Sequence, residues 1–220
     1  MMFRIEWLYM NPKRKREVEF ISGWISGDEV LQLADDIIKT GRTKEIIFVD
    51  EKDVRWNRKE MERLLAQVEE EPHDIQAFFD GGYDKKAGKA SAGMVIYYKK
   101  DGKTHRIRRN ASLQELSSNN EAEYAALWNL VVMMEEAGIQ HQTIGISGDS
   151  AGAINQASGE WPCYDETLNT WLDRIEQKLE DLGLKVRWEL IDRKKNKEAH
   201  ELAHKGLEGT LIDGSTIITG

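Results

Sequence analysis

The order of predicted elements after Pro72 is the feature that most restricts the fold of this 220-residue chain. Three strands come first, and the turn Lys100-Asp101-Gly102-Lys103 joins the second to the third. Helices and strands then alternate. Strands followed by alternating helices and strands predict a mixed sheet with helices on its faces. The predicted strands are 74–80, 92–99, 104–110, 143–147 and 184–191, and the predicted helices are 120–137, a short one after Asp149, 164–182 and 196–205.

The first 72 residues have a different pattern, with two strands, a helix, a strand and a second helix. Two capping boxes, Ser26-x-x-Glu29 and Asn57-x-x-Glu60, mark the starts of the helices. The run Glu69-Glu70-Glu71-Pro72 reads as a linker. We therefore expect a small β-β-α-β-α domain at residues 1–72, a second domain at 73–206 and a tail at 207–220.

Composition is typical of a globular protein and weighs against a strongly basic nucleic-acid-binding protein and against a secreted or membrane protein. The chain is 40% hydrophobic and 32% charged, and its net charge of −8 gives no overall basic field for nucleic acid. Local cations can still contact phosphates, since only a few are needed. A single cysteine, Cys163, fits a reducing compartment, and the N-terminus has no apolar run. These features predict a cytoplasmic protein that does not enter the membrane.

Three acids and one histidine on separate predicted elements are the candidate functional residues. Asp80 follows two phenylalanines on a strand that reads as buried, where an acid is costly unless a cation compensates it. Glu123 lies in the first turn of a helix, Asp149 ends a strand, and His200 lies on the last helix. Ligands of open α/β sheets bind beyond the carboxyl ends of the strands, so these groups are expected to converge. A cage of acids favours hard divalent cations.

With these motifs in this order, residues 74–206 resemble the ribonuclease HI family. The resemblance runs from Asp80-Gly81-Gly82 to the helix Asn196-Lys197-Glu198-Ala199-His200-Glu201-Leu202-Ala203 and covers about three-fifths of the chain. It implies an α/β fold of the ribonuclease H type, with a mixed five-stranded sheet and flanking helices. It also implies an endonuclease that cleaves the RNA strand of RNA–DNA hybrids by a two-metal mechanism.

The resemblance assigns a role to each matching position. Asp80 would bridge two metals, magnesium or manganese, and Glu123 and Asp149 would complete the site near the leaving group. His200 stands where the residue holding the metal of the attacking water is expected. Asn119 and Asn120 match positions that contact the hybrid in its minor groove, where ribose 2′-hydroxyls identify RNA. Ser118 matches a position that supports a phosphate of the DNA strand.

His200 is a departure, since the resemblance leads one to expect an aspartate there. Imidazole suits manganese or zinc better than magnesium, so the histidine would shift the metal preference. Alternatively, Asp192 or Glu201 would substitute for the missing acid. In the third reading, the metal of the attacking water is lost and the chain binds a hybrid but cleaves it poorly. Tyr83 and Ala151 also stand where relatives often carry small polar or amide side chains.

Other motifs leave further alternatives open. His200-Glu201-Leu202-Ala203-His204 matches the zinc signature H-E-x-x-H of metalloproteases, but only Glu208 and Asp213 follow it as acidic candidates for a third ligand. The basic run Arg193-Lys194-Lys195-Asn196-Lys197 adjoins the expected site and is a candidate for phosphate contact.

The N-terminal domain has the element order of a hybrid-binding domain found in some ribonuclease HI proteins, without matching residues. Its basic turn Lys13-Arg14-Lys15-Arg16, with Trp7 and Tyr9 nearby, would contact a nucleic-acid backbone by charge and stacking. A solvated hairpin tip and a protein–protein contact are the alternatives, and no protein partner is identifiable.

Overall fold

The computed structural model describes residues 1–11, 13 and 16–218. The chain divides into two compact units, Met1–Glu70 and Glu71–Gly220. The division falls within two residues of the boundary expected at Pro72. Arg14 and Lys15 of the basic turn in the N-terminal unit, and Pro12 before it, lie outside the described residues.

The N-terminal unit is an antiparallel sheet covered by two helices. The expected order of two strands, a helix, a strand and a helix is present, with two short strands, β3 and β5, in addition. A core of buried side chains from β1, β4 and the helices includes Phe3, Ile5 and Phe48. The elements are β1 (Met2–Met10), β2 (Glu17–Ile21), β3 (Ile25–Ser26), α1 (Gly27–Lys39), β4 (Thr43–Asp50), β5 (Arg55–Trp56) and α2 (Arg58–Glu70).

The second capping box forms as expected, because the backbone N–H of Asn57 donates to the Glu60 carboxylate and that of Glu60 donates to Asn57 Oδ1. In the first, the Ser26 hydroxyl bonds to the Glu29 carboxylate and makes no cap bond to the backbone. The rings of Trp7, Tyr9 and Phe20 contact one another, with centroids 5.3–6.2 Å apart. A role for Trp7 and Tyr9 in nucleic-acid or partner contact stays a prediction.

The second unit is a mixed sheet with helices on both faces, as expected. Its strands lie in the order β10-β9-β6-β7-β8-β11. The three strands β6, β7 and β8 form an antiparallel meander, whereas β9 is parallel to both β6 and β10. The elements are β6 (His73–Asp84), β7 (Lys89–Lys100), β8 (Lys103–Leu113), α3 (Asn119–Glu136), β9 (Thr143–Gly148), α4 (Ala151–Ala157), α5 (Glu166–Asp181), β10 (Lys185–Leu190), α6 (Lys197–Leu207) and β11 (Asp213–Ile218).

The sheet has six strands where five were expected, and the expectation that residues 207–220 form a tail was wrong. β11 pairs antiparallel with β8, with Asp213 opposite Arg109. Asn110 holds the returning chain, since its Nδ2 donates to the carbonyls of Leu202 and Thr210 and its Oδ1 accepts from the Ile212 N–H. These bonds turn the chain back along the edge of β8 after α6 ends.

The two faces of this sheet are covered by different helices. The larger core contains α3 and α5 against Ala77, Phe79, Met94 and other residues of one face. On the other face, α6 packs its buried Ala199 and Leu202 against Val95. Side chains alternate along a strand, so consecutive residues of β6 face opposite helices. Among the described residues, no helix is long and apolar enough to cross a membrane.

Candidate active site

All four predicted metal ligands line one pocket of about 220 Å³ in the second unit. Asp80 lies on β6, Glu123 is the fifth residue of α3, Asp149 lies just after β9 and His200 on α6. Asp80 and Glu123 are buried, at 5% and 8% exposure, while Asp149 and His200 are partly exposed. The expected convergence of side chains from separate elements is therefore present. Their roles as metal ligands stay predictions.

Two glycines allow the helices to approach the strands that carry this pocket. A Cβ at Gly81 would lie 2.4 Å from backbone atoms of Ala122 and Glu123, so α3 packs backbone to backbone on β6. A Cβ at Gly93 would lie 2.0 Å from the carbonyl oxygen of Ala199 on α6. Gly93 is the partner of Asp80 in the ladder between β7 and β6. Glycine at these positions therefore brings both helices within reach of Asp80.

Glu123 is held against β6 by the backbone of Gly81, whose N–H donates to Oε2 at 3.0 Å. Burial, together with the negative charge of Asp80, raises the pKa of Glu123 to about 8, although the Gly81 bond opposes the shift. Burial also raises the pKa of Asp80, and the hydrogen bond from His200 opposes it. The pocket therefore contains closely spaced acids that are costly to ionise together.

Asp149 is oriented by Asn196, the residue before α6. The Asn196 side-chain amide donates to Oδ1 of Asp149 at 2.6 Å and to the backbone carbonyl of Phe79 at 2.8 Å. Asn196 is 1% exposed, and its own Oδ1 has no hydrogen-bond partner among the described residues. Asn196 occupies the N-cap position of α6 but makes no side-chain cap bond to the helix.

His200 lies between an acid and a cation. Its Nδ1 is 3.0 Å from Oδ2 of Asp80, and its Nε2 is 3.0 Å from Nη2 of Arg193. Arg193 also lines the pocket, from the turn between β10 and α6. Arginine is always charged, so a permanent positive charge lies beside the histidine and the carboxylates.

The predicted substrate-binding residues lie at the start of α3, next to the acids. Ser118 is the N-cap, and its Oγ accepts from the N–H of Glu121. Asn119 lines the pocket, whereas Asn120, exposed in the same turn, does not. Tyr83 also lines the pocket and donates its hydroxyl to the Ser117 carbonyl, but Ala151 lies outside it. Contacts of these residues with nucleic acid stay predictions.

The alternatives to His200 as the fourth ligand do not reach the pocket. Asp192 and Glu201 are exposed and do not line it. His204, the second histidine of the zinc signature, lines the pocket but pairs with Glu208 at 3.4 Å. Across residues 1–11, 13 and 16–218, no three His, Cys, Asp or Glu side chains form a group with metal-binding geometry. The arrangement therefore does not favour the metalloprotease reading.

The donor set in the pocket nevertheless fits a hard divalent cation. Asp80, Glu123 and Asp149 each give one carboxylate oxygen to a hydrogen bond from the chain itself. Carboxylate oxygens are the ligands that magnesium and manganese prefer. The pKa values of Asp80 and Glu123 are raised by burial and by repulsion, from Asp149 on Asp80 and from Asp80 on Glu123, and a bound cation would relieve this repulsion.

Sequence reasoning missed the role of two of these residues. Asn196 was assigned to the start of a helix and, together with Arg193, to a basic run suited to phosphate contact. The sequence does show that Asn196 is a polar residue at the start of the helix that carries His200. Its bond to Asp149 could not be predicted, because the two residues are 47 positions apart in the chain. The contact between Arg193 and His200 depends on the shape of the turn that precedes α6.

Comparison with known proteins places the chain among ribonuclease H-like proteins. The family model described as "Reverse transcriptase-like" matches residues 78–206. The uncharacterized protein YpeP of Bacillus subtilis (strain 168) is 41% identical over 210 residues, which are 95% of this chain and 92% of that protein.

Solved structures of RNase H1 proteins have the same fold as the second unit. RNase H1 from the halophilic archaeon Halobacterium salinarum NRC-1 is 24% identical, with a TM-score of 0.52 over 62% of this chain and 99% of its own. LC11-RNase H1, solved in complex with an RNA/DNA hybrid, is 26% identical, with a TM-score of 0.53 over 62% of this chain and 98% of its own. Proteins with ribonuclease H-like folds generally depend on divalent metals. The chain therefore belongs to the reverse transcriptase-like family, and its second unit has the ribonuclease H fold expected from the sequence.

Proposed function

We propose that the second unit is a nuclease that binds RNA–DNA hybrids and cleaves the RNA strand with a divalent metal, magnesium or manganese. The observation that carries the proposal is the convergence of Asp80, Glu123 and Asp149 on one open pocket. LC11-RNase H1, which shares the fold, was solved with an RNA/DNA hybrid, and this supports the choice of substrate. This proposal requires one divalent metal on the three acids. The two-metal mechanism that the resemblance implies requires, in addition, that His200 binds a second metal.

The chain's own residues have distinct tasks in this proposal. Asp80, Glu123 and Asp149 would hold the cation, and Gly81 and Asn196 would keep two of these carboxylates in place. Asn119 and Asn120 would contact ribose 2′-hydroxyls, and Ser118 would support a phosphate of the DNA strand. A bound divalent cation would polarise the scissile phosphate and lower the pKa of a water that attacks it. Arg193 would compensate the negative charge of the phosphate.

A second candidate function is hybrid binding with little cleavage. The specific observation in its favour is the contact of His200 with both Asp80 and Arg193, which occupies the residue expected to hold the metal of the attacking water. Binding would survive this change, because the phosphate and 2′-hydroxyl contacts would come from the start of α3 and from the basic run at residues 193–197.

Cleavage of an end-labelled RNA–DNA hybrid by the full chain tests the proposal, in magnesium, manganese and zinc separately. The enzyme reading expects cleavage that Asp80→Asn abolishes. The matched control is Asp84→Asn on the same strand, because Asp84 is exposed and lies outside the pocket. Hybrid binding without cleavage in any metal supports the second candidate. A chain that neither binds nor cleaves the hybrid contradicts both.

A further inference from the structure

The imidazole of His200 contacts both an acid and a cation. Nδ1 donates to Oδ2 of Asp80 at 3.0 Å, since a carboxylate oxygen can only accept. In a neutral ring, the remaining lone pair is then on Nε2. Arg193 Nη2 lies 3.0 Å from Nε2 and 3.4 Å from Nδ1, and a guanidinium can only donate. One guanidinium nitrogen thus lies within 3.4 Å of both ring nitrogens, so a permanent positive charge lies against the imidazole to which a second cation would have to bind.

Hydrogen bonds hold the turn that carries Arg193 next to the site. Its backbone closes with the Lys195 N–H donating to the Asp192 carbonyl at 2.7 Å and that of Asn196 to Arg193 at 3.1 Å. The Asn196 side chain then anchors the turn to Phe79, next to Asp80, and to Asp149. The backbone of Arg193 is thus positioned by the fold, and its exposed side chain reaches His200, so a second metal on His200 would lie directly against its positive charge.

We propose that the pocket holds one divalent cation, on Asp80, Glu123 and Asp149, and that Arg193 supplies the second positive charge in place of a metal. The inference rests on the proposed function, since it concerns the same site. His200 acts here as a positioning residue, which contacts Asp80 on one side and the guanidinium on the other. Three carboxylates with one divalent cation and one guanidinium give a neutral set, so a second divalent cation is not needed to balance their charge.

The number of bound metal ions tests this inference directly. Isothermal titration of the full chain with Mn²⁺ at fixed pH, checked by electron paramagnetic resonance of free Mn²⁺, gives the stoichiometry. We expect one Mn²⁺ per chain, with affinity at least about ten-fold weaker in Asp80→Asn. The double variant Arg193→Gln, His200→Asp removes the charge and restores an acid, and we expect it to bind two.

The matched control is His200→Asp with Lys194→Gln, which restores the same acid but removes the neighbouring, exposed cation of the turn. It retains Arg193, so we expect it to bind a single Mn²⁺. Circular dichroism checks that each variant is folded. A wild-type chain that binds two Mn²⁺ overturns the inference and leaves the proposed metal site intact. A double variant that still binds one also overturns it, whereas a wild-type chain that binds none contradicts the proposed function itself.

Discussion

Glu121 and Glu123 lie two residues apart near the start of α3, and their pKa values are shifted in opposite directions. Burial raises the pKa of Glu123 to about 8, and the charge of Asp80 adds to the shift. Burial acts in the same sense on Glu121, but hydrogen bonds from Ser117 and from the Trp171 indole outweigh it and lower its pKa. One glutamate is thus stabilised as a carboxylate by the fold, and the other is destabilised.

The difference predicts how stability depends on pH in metal-free protein. The folded-state pKa of Glu123 is above its ordinary value of 4.5, so the folded state binds the extra proton between pH 4.5 and about 8. Stability from this group is complete below that window and is lost as the pH rises through it, at about 1.4 kcal/mol per pKa unit. Relative to Glu123→Gln, we expect the melting temperature of the wild type in EDTA to fall from pH 5 to pH 8.

Glu121→Gln is the control of opposite sign. Because the pKa of Glu121 is lowered, its carboxylate stabilises the fold at pH values above its ordinary pKa, and this stability is lost as the pH falls. The substitution should therefore destabilise the protein most near pH 7. Saturating Mg²⁺ should remove the alkaline loss of the wild type, since the cation compensates Glu123. Parallel melting curves for the wild type and Glu123→Gln across the window would contradict the prediction.

Gly93→Ala should displace α6 from the sheet. The new Cβ would lie 2.0 Å from the Ala199 carbonyl oxygen and 2.5 Å from the Ala203 nitrogen, and backbone cannot move as a flexible side chain does. We expect a loss of stability of about 1–3 kcal/mol or more and faster hydrogen exchange in α6 peptides. Gly152→Ala is the control, because its Cβ meets nothing within 4 Å and alanine favours the helix. Equal exchange in the two variants would refute the role of Gly93.

Asn196→Ala should loosen Asp149 without changing any acid. It removes the donor to Asp149 and to the Phe79 carbonyl, and leaves two acceptors without their buried partner. We expect a loss of about 1–3 kcal/mol in urea unfolding and weaker Mn²⁺ binding. Asn169→Ala, on the exposed face of α5, should change neither. Unchanged Mn²⁺ affinity in Asn196→Ala would exclude the orienting role.

Arg193→Gln should weaken hybrid binding in a salt-dependent manner. If the guanidinium contacts a phosphate, its removal reduces the number of released counterions by about one, so the slope of log affinity against log salt becomes shallower by about one. Lys194→Gln removes an equal charge from the same turn but outside the pocket. We expect it to change the slope less. Identical slopes for the two variants would show that Arg193 makes no privileged phosphate contact.

The general architecture of the second unit could be predicted because each strong pattern has a local cause. The alternation of elements and the glycines that end helices are encoded within short stretches of sequence. β11 was missed because its residues are all exposed and include Gly214 and Ser215, which are typical of loops. Its pairing depends on Asn110, about 100 residues away, and no local pattern contains that contact.

The candidate site could be predicted in its acids but not in its electrostatics. Asp80 and Glu123 stand in motifs that the resemblance identifies. Asn196 and Arg193 take their roles from contacts between a turn, a strand end and a helix, which arise only in the folded chain. The reading of His200 changes most, since the sequence presents it as a replacement ligand and the structure places Arg193 against it.

The packing of α3 against Gly81 and of α6 against Gly93 fixes the fold of this domain without the side chains that line the pocket. The spacing of the helices is fixed by main-chain atoms in contact, so the side chain at position 200 can change from an acid to a histidine while α6 stays in place. A substitution at position 200 is therefore expected to alter the chemistry of the pocket while the fold stays the same.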